Sequence, residues 1–314
     1  MTNAEKPVRP WRRRLYYAGM ALGLLLFVWQ LVAAVAEVRQ RNVPIAGTGW
    51  LAAALALVVT GYLVQLGAWL LVMRYLLCHL TFNNTFAGYY MSFLPRYIPG
   101  TVWGYLGRGE WLARQLGIGY RRSSIGSLLE AGSFLATALF IGALVYLRAP
   151  WQFAAAAAVM TAAVIAWPIL ARASDAAGSG KHWWWIPAAY IAYACYWCLQ
   201  GLALEAICRG LGVGQSADLV QLVAAAAVGW SAGFLTVFVP AGFGVRELSL
   251  AYLLTVYSGM PAGDANLVAV LSRMVMIVAE LLMLATAFLV RNRAARAAPG
   301  TASPANSLVE SSDP

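Results

Sequence analysis

Six long, mostly apolar runs dominate the sequence: Leu15 to Ala36, Trp50 to Met73, Ile125 to Leu147, Gln152 to Ala171, Trp183 to Leu204 and Leu267 to Val290. Each is about 20 residues long, the length of helix that crosses the ~30 Å hydrocarbon core of a bilayer. Lipid offers no hydrogen bonds, so a segment of this length must satisfy its own backbone, and an α-helix does so. Composition agrees: 61% of the residues are hydrophobic and 11% charged, where soluble domains carry about 25% charged residues. The expected fold class is all-α, a polytopic membrane helical bundle of about 6 to 8 transmembrane helices.

Two further segments, 81–104 and 219–258, are apolar but interrupted by proline and glycine. Placing Pro99 against Pro240 aligns AGYYMSFLPRYIPG with VGWSAGFLTVFVPA without a gap, so that Gly88 meets Gly229, Phe93 meets Phe234 and Leu94 meets Leu235. Paired broken segments at corresponding places in two halves point to a transporter-type site, because unwound backbone survives at membrane depth only where protein or a water-filled cavity satisfies it. The breaks are expected at Pro95 to Gly100 and Pro240 to Gly244, meeting near the bilayer midplane. The segments can be re-entrant hairpins, giving six full crossings. Leu219 to Val239 can equally cross outright, giving eight.

The net charge of +10 is placed at the span ends rather than on a base-reading surface, and no nucleic-acid partner is expected. Arg9, Arg12, Arg13 and Arg14 precede the first run; Arg108, Arg114, Arg121 and Arg122 lie in a polar loop from Leu106 to Ser124; Arg291, Arg293 and Arg296 follow the last run. These flanks belong to the cytoplasm by the positive-inside rule, where they also meet anionic headgroups. The expected organisation is a basic cytoplasmic N-terminus (1–14), a transmembrane domain (15–290) with repeat halves around 81–104 and 219–258, and a disordered cytoplasmic tail (291–314) rich in Ala, Pro and Ser. The expected location is the cytoplasmic membrane, multi-pass, with both termini inside. The first run is too long for a signal-peptide core and reads as a retained anchor.

Cys195 and Cys198 form a CYWC within an apolar run, away from any thioredoxin-like pattern, and read as packing residues. With His79 and His182 the only histidines, no metal site or other cofactor is expected. Charges inside the apolar segments are more informative, since each costs at least ~2.5 to 3.5 kcal/mol to insert. They are Arg96, Glu130, Arg246, Glu247, Arg273 and Glu280. They can neutralise one another as ion pairs or serve a ligand. Arg273 and Glu280 share a helix face about two turns apart, too far to bond directly, so each must address another helix or a ligand.

FLPRYIPGTVWGYLGR, a span opening SSIGSLLE, and the later VPAGFGVRE together resemble the membrane region of the lysylphosphatidylglycerol synthase and flippase family, over roughly residues 15–290. The resemblance implies lipid handling: in bifunctional members this region is associated with moving aminoacylated lipid across the bilayer, while a separate domain makes that lipid. The chain stops shortly after Val290, so aminoacyl transfer is not expected and the protein is expected not to be an enzyme. The positions carrying the family pattern are Arg96, Tyr97, Pro99, Gly100, Trp103 and Arg108, then Pro240, Gly242, Gly244, Arg246 and Glu247, with Glu130 as the acidic residue of the intervening span. Glycines admit a headgroup to the backbone, and an arginine can fork a phosphate in two hydrogen bonds. Expected partners are the bilayer, an anionic or aminoacylated phospholipid or lipid-linked substrate, and a lipid-modifying enzyme or glycosyltransferase. Three functions stay open on these grounds: a flippase-like translocase, an accessory that presents lipid to an enzyme, and an intramembrane lipid-modifying transferase or hydrolase.

Overall fold

The computed structural model of the protein describes residues 47–78, 80–93, 102–147, 149–173, 183–213, 217–236, 239 and 242–297, with five isolated positions upstream at 25, 28, 29, 32 and 36. Among the described residues there are nine helices and no strand: α1 (Thr48–Tyr75), α2 (Phe82–Met91), α3 (Val102–Leu116), α4 (Tyr120–Tyr146), α5 (Gln152–Ala173), α6 (Trp185–Leu211), α7 (Leu219–Leu235), α8 (Val245–Ser258) and α9 (Ala262–Ala297). Five of them, α1, α4, α5, α6 and α9, are long and apolar enough to cross a membrane, and each holds one of the runs read from the sequence. The first run, Leu15 to Ala36, falls largely outside the described residues.

The protein is an all-α polytopic membrane bundle, and its surface is that of a lipid-facing protein. Ile165, Ile169, Ile191, Tyr252, Leu281 and Leu289 are exposed, whereas Glu130, Glu247, Arg108 and Arg273 are buried. Hydrophobicity cannot drive helices together in lipid, so close packing at small residues must do so. A Cβ on Gly126 of α4 would lie 2.4 Å from Met73 Sδ of α1, and one on Gly201 of α6 would lie 2.3 Å from Val223 of α7. The central contact is α1 against α6, α9 reaches α1, α2, α6 and α8, and α5 packs on α4 at the periphery. A polar tie helps to hold α5: the buried Trp167 indole donates to Ser133 Oγ at 2.8 Å.

The two broken segments become pairs of short helices. The second pair is α7 and α8, of 17 and 14 residues, about 26 and 21 Å long at 1.5 Å per residue. Each falls short of the ~30 Å core. The first pair is α2 and α3; residues 94–101 between them, which include Arg96, Tyr97, Pro99 and Gly100, lie outside the described residues, as does Pro240. The aligned glycines do the same work in both pairs. A Cβ on Gly88 of α2 would lie 2.2 Å from the Trp111 ring of α3, and one on Gly229 of α7 would meet Leu250 and Arg246 of α8 at 3.3 to 3.4 Å.

The structure corrects the polar loop expected from Leu106 to Ser124. Most of it is helix, and the turn is reduced to 117–119, where Gly117 takes a left-handed φ of 65°. The polarity is confined to one face: Glu110 and Arg114 pair at 2.5 Å in solvent, while Arg108 and Leu112 are buried. Arg108 therefore is not a charge of a cytoplasmic loop but part of the interior. At the other end, α9 runs on to Ala297, past the Val290 limit read for the last span.

Candidate functional site

The break between α7 and α8 is built on glycine. Gly242 and Gly244 take φ of 65° and 79°, a left-handed region costly for residues with a Cβ, and a Cβ on Gly242 would lie 2.6 Å from Gly233 Cα. The chain turns there and starts α8 with Val245, Arg246 and Glu247 in its first turn. Glu247 folds back so that its carboxylate accepts the Gly244 N–H at 2.6 Å, the half of a capping box that a glycine N-cap allows. The other carboxylate oxygen faces Arg273 Nε of α9 at 3.4 Å, and the Arg273 guanidinium lies over the Phe243 ring at 4.4 Å.

Arg246, the neighbouring residue, is engaged differently. It is half-buried and has no ion-pair or hydrogen-bond partner among the described residues. It lines a small cavity of ≈ 20 Å³ with Gln200 of α6, Trp230 of α7, and Ser272 and Met276 of α9. That volume admits about one water. Gln200 is 5% exposed, and its amide nitrogen lacks a hydrogen-bond partner among the described residues. The cavity, which Val58 of α1 also lines, thus gathers one guanidinium, one unsatisfied amide, an indole and a hydroxyl where five helices meet.

The first pair carries a second buried ion pair. Arg108 of α3 bonds Glu130 of α4 through Nη1 and donates from Nε to Ser92 Oγ at 3.2 Å. Tyr89 of α2 donates its hydroxyl to the other Glu130 oxygen at 2.5 Å. The guanidinium lies 4.0 Å from the Tyr89 ring and 5.1 Å from the Trp69 ring of α1. Aromatic faces and a carboxylate surround this charge, while its Nη2 has no hydrogen-bond partner among the described residues.

The two pairs are related. In each half, the second short helix is tied to the next long helix by one buried Arg–Glu contact, and the sign is reversed: Arg108 to Glu130, then Glu247 to Arg273. The segments also converge. Tyr105 of α3 meets Phe234 of α7 edge-on at 6.4 Å. Phe93, at the end of α2, meets Tyr62 of α1 at 5.6 Å, and the Tyr62 hydroxyl donates to Glu280 of α9 at 3.1 Å. Arg273 and Glu280 do address separate helices, α8 and α1.

Of the residues singled out from the sequence, Arg108, Glu130, Glu247 and Arg273 form the buried pairs, Gly242 and Gly244 make the turn, Arg246 faces the cavity, and Glu280 is held by Tyr62. Trp103 lies on α3. Arg96, Tyr97, Pro99, Gly100 and Pro240 lie outside the described residues. The sequence reading missed Gln200, Trp230, Tyr62, Tyr89 and Ser92. Gln200 carries a signal, an amide within an apolar run, but no charge; the tyrosines and Trp230 look apolar in any periodicity.

A second cavity, of ≈ 320 Å³, lies where the α1–α2 connection meets the turn between α3 and α4, and is lined by Cys78, Gly117 and Arg122 among others. Burial there pushes the Cys78 thiol up, and the Arg122 guanidinium offsets part of that rise.

Residues 16–283 match the family model described as Lysylphosphatidylglycerol synthase TM region. The chain belongs to this family. No curated protein and no solved structure matches it. Membership of the lysylphosphatidylglycerol synthase TM-region family makes this a membrane protein of lipid handling, and the match spans both broken segments, both buried ion pairs and the Arg246 cavity.

Proposed function

We propose that the protein is a flippase-like lipid translocase of the cytoplasmic membrane, binding an anionic phospholipid or lipid-linked headgroup at Arg246 and carrying it between leaflets. The observation that supports this best is Arg246 itself. A half-buried guanidinium among transmembrane helices is costly, and the buried arginines Arg108 and Arg273 each have a carboxylate partner, while Arg246 faces a cavity with an unsatisfied amide. A phosphate entering there supplies the missing charge and accepts from both groups. The cavity has only about the volume of a water, too little for a headgroup, so translocation requires α7 and α8 to move against α6 and α9, and the Gly242–Gly244 turn is a natural hinge. Both termini are assigned to the cytoplasm from the basic flanks. No residue is assigned a catalytic role.

The test is reconstitution into liposomes with a fluorescent anionic phospholipid and a membrane-impermeant quencher. The proposal expects headgroup exchange between leaflets without ATP, lost in Arg246→Ala. Lipid bound tightly at Arg246 with no exchange would favour the accessory role instead.

A further inference from the structure

Resting on the binding role just proposed for Arg246, we infer that this site selects a lipid whose headgroup joins a phosphate to a neutral, hydroxyl-bearing group, and discriminates against headgroups that carry an amine. The argument is the donor and acceptor inventory of the cavity. Its one ionic group is the Arg246 guanidinium, and its other polar groups, Gln200, Trp230 and Ser272, are neutral. No carboxylate is among the described residues that line it.

The carboxylates nearby are committed elsewhere. Glu247 accepts the Gly244 N–H and faces Arg273, and Glu280 accepts from Tyr62. An ammonium brought to the cavity would meet a guanidinium without an ion-pair partner among the described residues, in a medium of low dielectric where like charges repel strongly. A hydroxyl meets partners. The Gln200 amide nitrogen, 95% buried by the 5% exposure of its residue and without an acceptor, donates to a hydroxyl oxygen. Ser272 already donates its own proton to the Ala269 carbonyl at 2.7 Å, so its oxygen is left to accept from a hydroxyl. The Trp230 indole offers a flat apolar face against the C–H bonds of a glycerol or sugar ring. Gln200 packs closely against α1: a Cβ on Gly61 would lie 2.9 Å from its Nε2, so its amide occupies the space that this glycine leaves beside the cavity.

Native mass spectrometry of the full chain in mild detergent tests this with short-chain phosphatidylglycerol, phosphatidylmethanol, phosphatidylethanolamine and lysylphosphatidylglycerol. Phosphatidylglycerol should be retained about tenfold better than either amine-bearing lipid, the ratio expected for one charge-assisted contact of ~1.4 kcal/mol. It should exceed phosphatidylmethanol, which has the charge without the hydroxyls, by several-fold. Gln200→Leu should erase the preference over phosphatidylmethanol while keeping that over the amines, and Arg246→Gln should erase both. Glycerol 3-phosphate should not displace the lipid at equal concentration; displacement would assign the site to a soluble phosphate ester and overturn the inference. Retention of amine-bearing lipids as strong as that of phosphatidylglycerol would overturn the selectivity and leave lipid binding at Arg246 standing. Retention independent of headgroup and of Arg246 would overturn both.

Discussion

Arg246 and Glu247 are adjacent in the chain and opposite in circumstance: Glu247 is clamped between the Gly244 amide and Arg273, while Arg246 faces the cavity without an ion-pair partner among the described residues. Neighbours on a helix point about 100° apart, so one turn of α8 serves both an anchor and an open site. Their mutants should therefore separate stability from function. Arg273→Ala strands Glu247 and should cost ~3 to 5 kcal/mol, seen as a lowered thermal midpoint in detergent. Arg246→Ala removes a charge that has no ion-pair partner among the described residues and should leave the midpoint within about 1 kcal/mol of the parent. Equal loss in both would make Arg246 a structural residue.

The Arg108–Glu130 pair gives a parallel case in the other half. Arg108→Ala leaves the carboxylate with the Tyr89 hydroxyl alone and should lose ~3 to 5 kcal/mol, while Arg108→Met with Glu130→Leu should recover most of it by apolar packing. A double-mutant cycle on thermal midpoints reads the coupling. Additive losses would show that the pair does not act as a unit.

Glycine at the second break is required twice over, by its φ and by the approach of Gly233. Gly242→Ala should cost more than the ~1 to 2 kcal/mol of the left-handed conformation, because backbone must move as well. Gly117→Ala meets nothing within 4 Å and should cost only the conformational part. Circular dichroism melts of the two variants make the comparison, and equal losses would show that the α7–α8 approach is not tight.

The Cys78 thiol should alkylate slowly at neutral pH. Its burial raises the pKa, and Arg122 lowers it in part, so the thiolate fraction is below that of a free thiol and rises as pH rises. In a variant keeping Cys78 as the single cysteine, Arg122→Ala should raise the pKa further and slow alkylation at pH 8. Faster alkylation in that variant would mean that access, rather than charge, limits the thiol.

The long spans were legible in the sequence because a membrane helix needs only length and apolarity, and α1, α4, α5, α6 and α9 match the runs read there. The paired glycines were legible as well, since proline and glycine mark breaks in any context. The helix α3 was not, because its polar residues were read as a loop when they occupy one face. The division of the charges was also hidden. Spacing within one helix says nothing of the partner on another, so Arg108, Arg273 and Arg246 look alike until α3, α8 and α9 are placed. Gln200 escaped notice because an amide carries no charge, yet burial without a partner makes it as costly as many ions.

Leaflet exchange in proteoliposomes tests the central claim most directly. With phosphatidylglycerol as the labelled lipid and no nucleotide present, the parent protein should let the outer-leaflet quencher reach nearly the whole label, against about half in protein-free vesicles. Arg246→Ala should behave as the protein-free vesicles while showing the parental thermal midpoint. Exchange that is undiminished in a well-folded Arg246→Ala protein would contradict the account, because lipid would then cross without the guanidinium on which it rests.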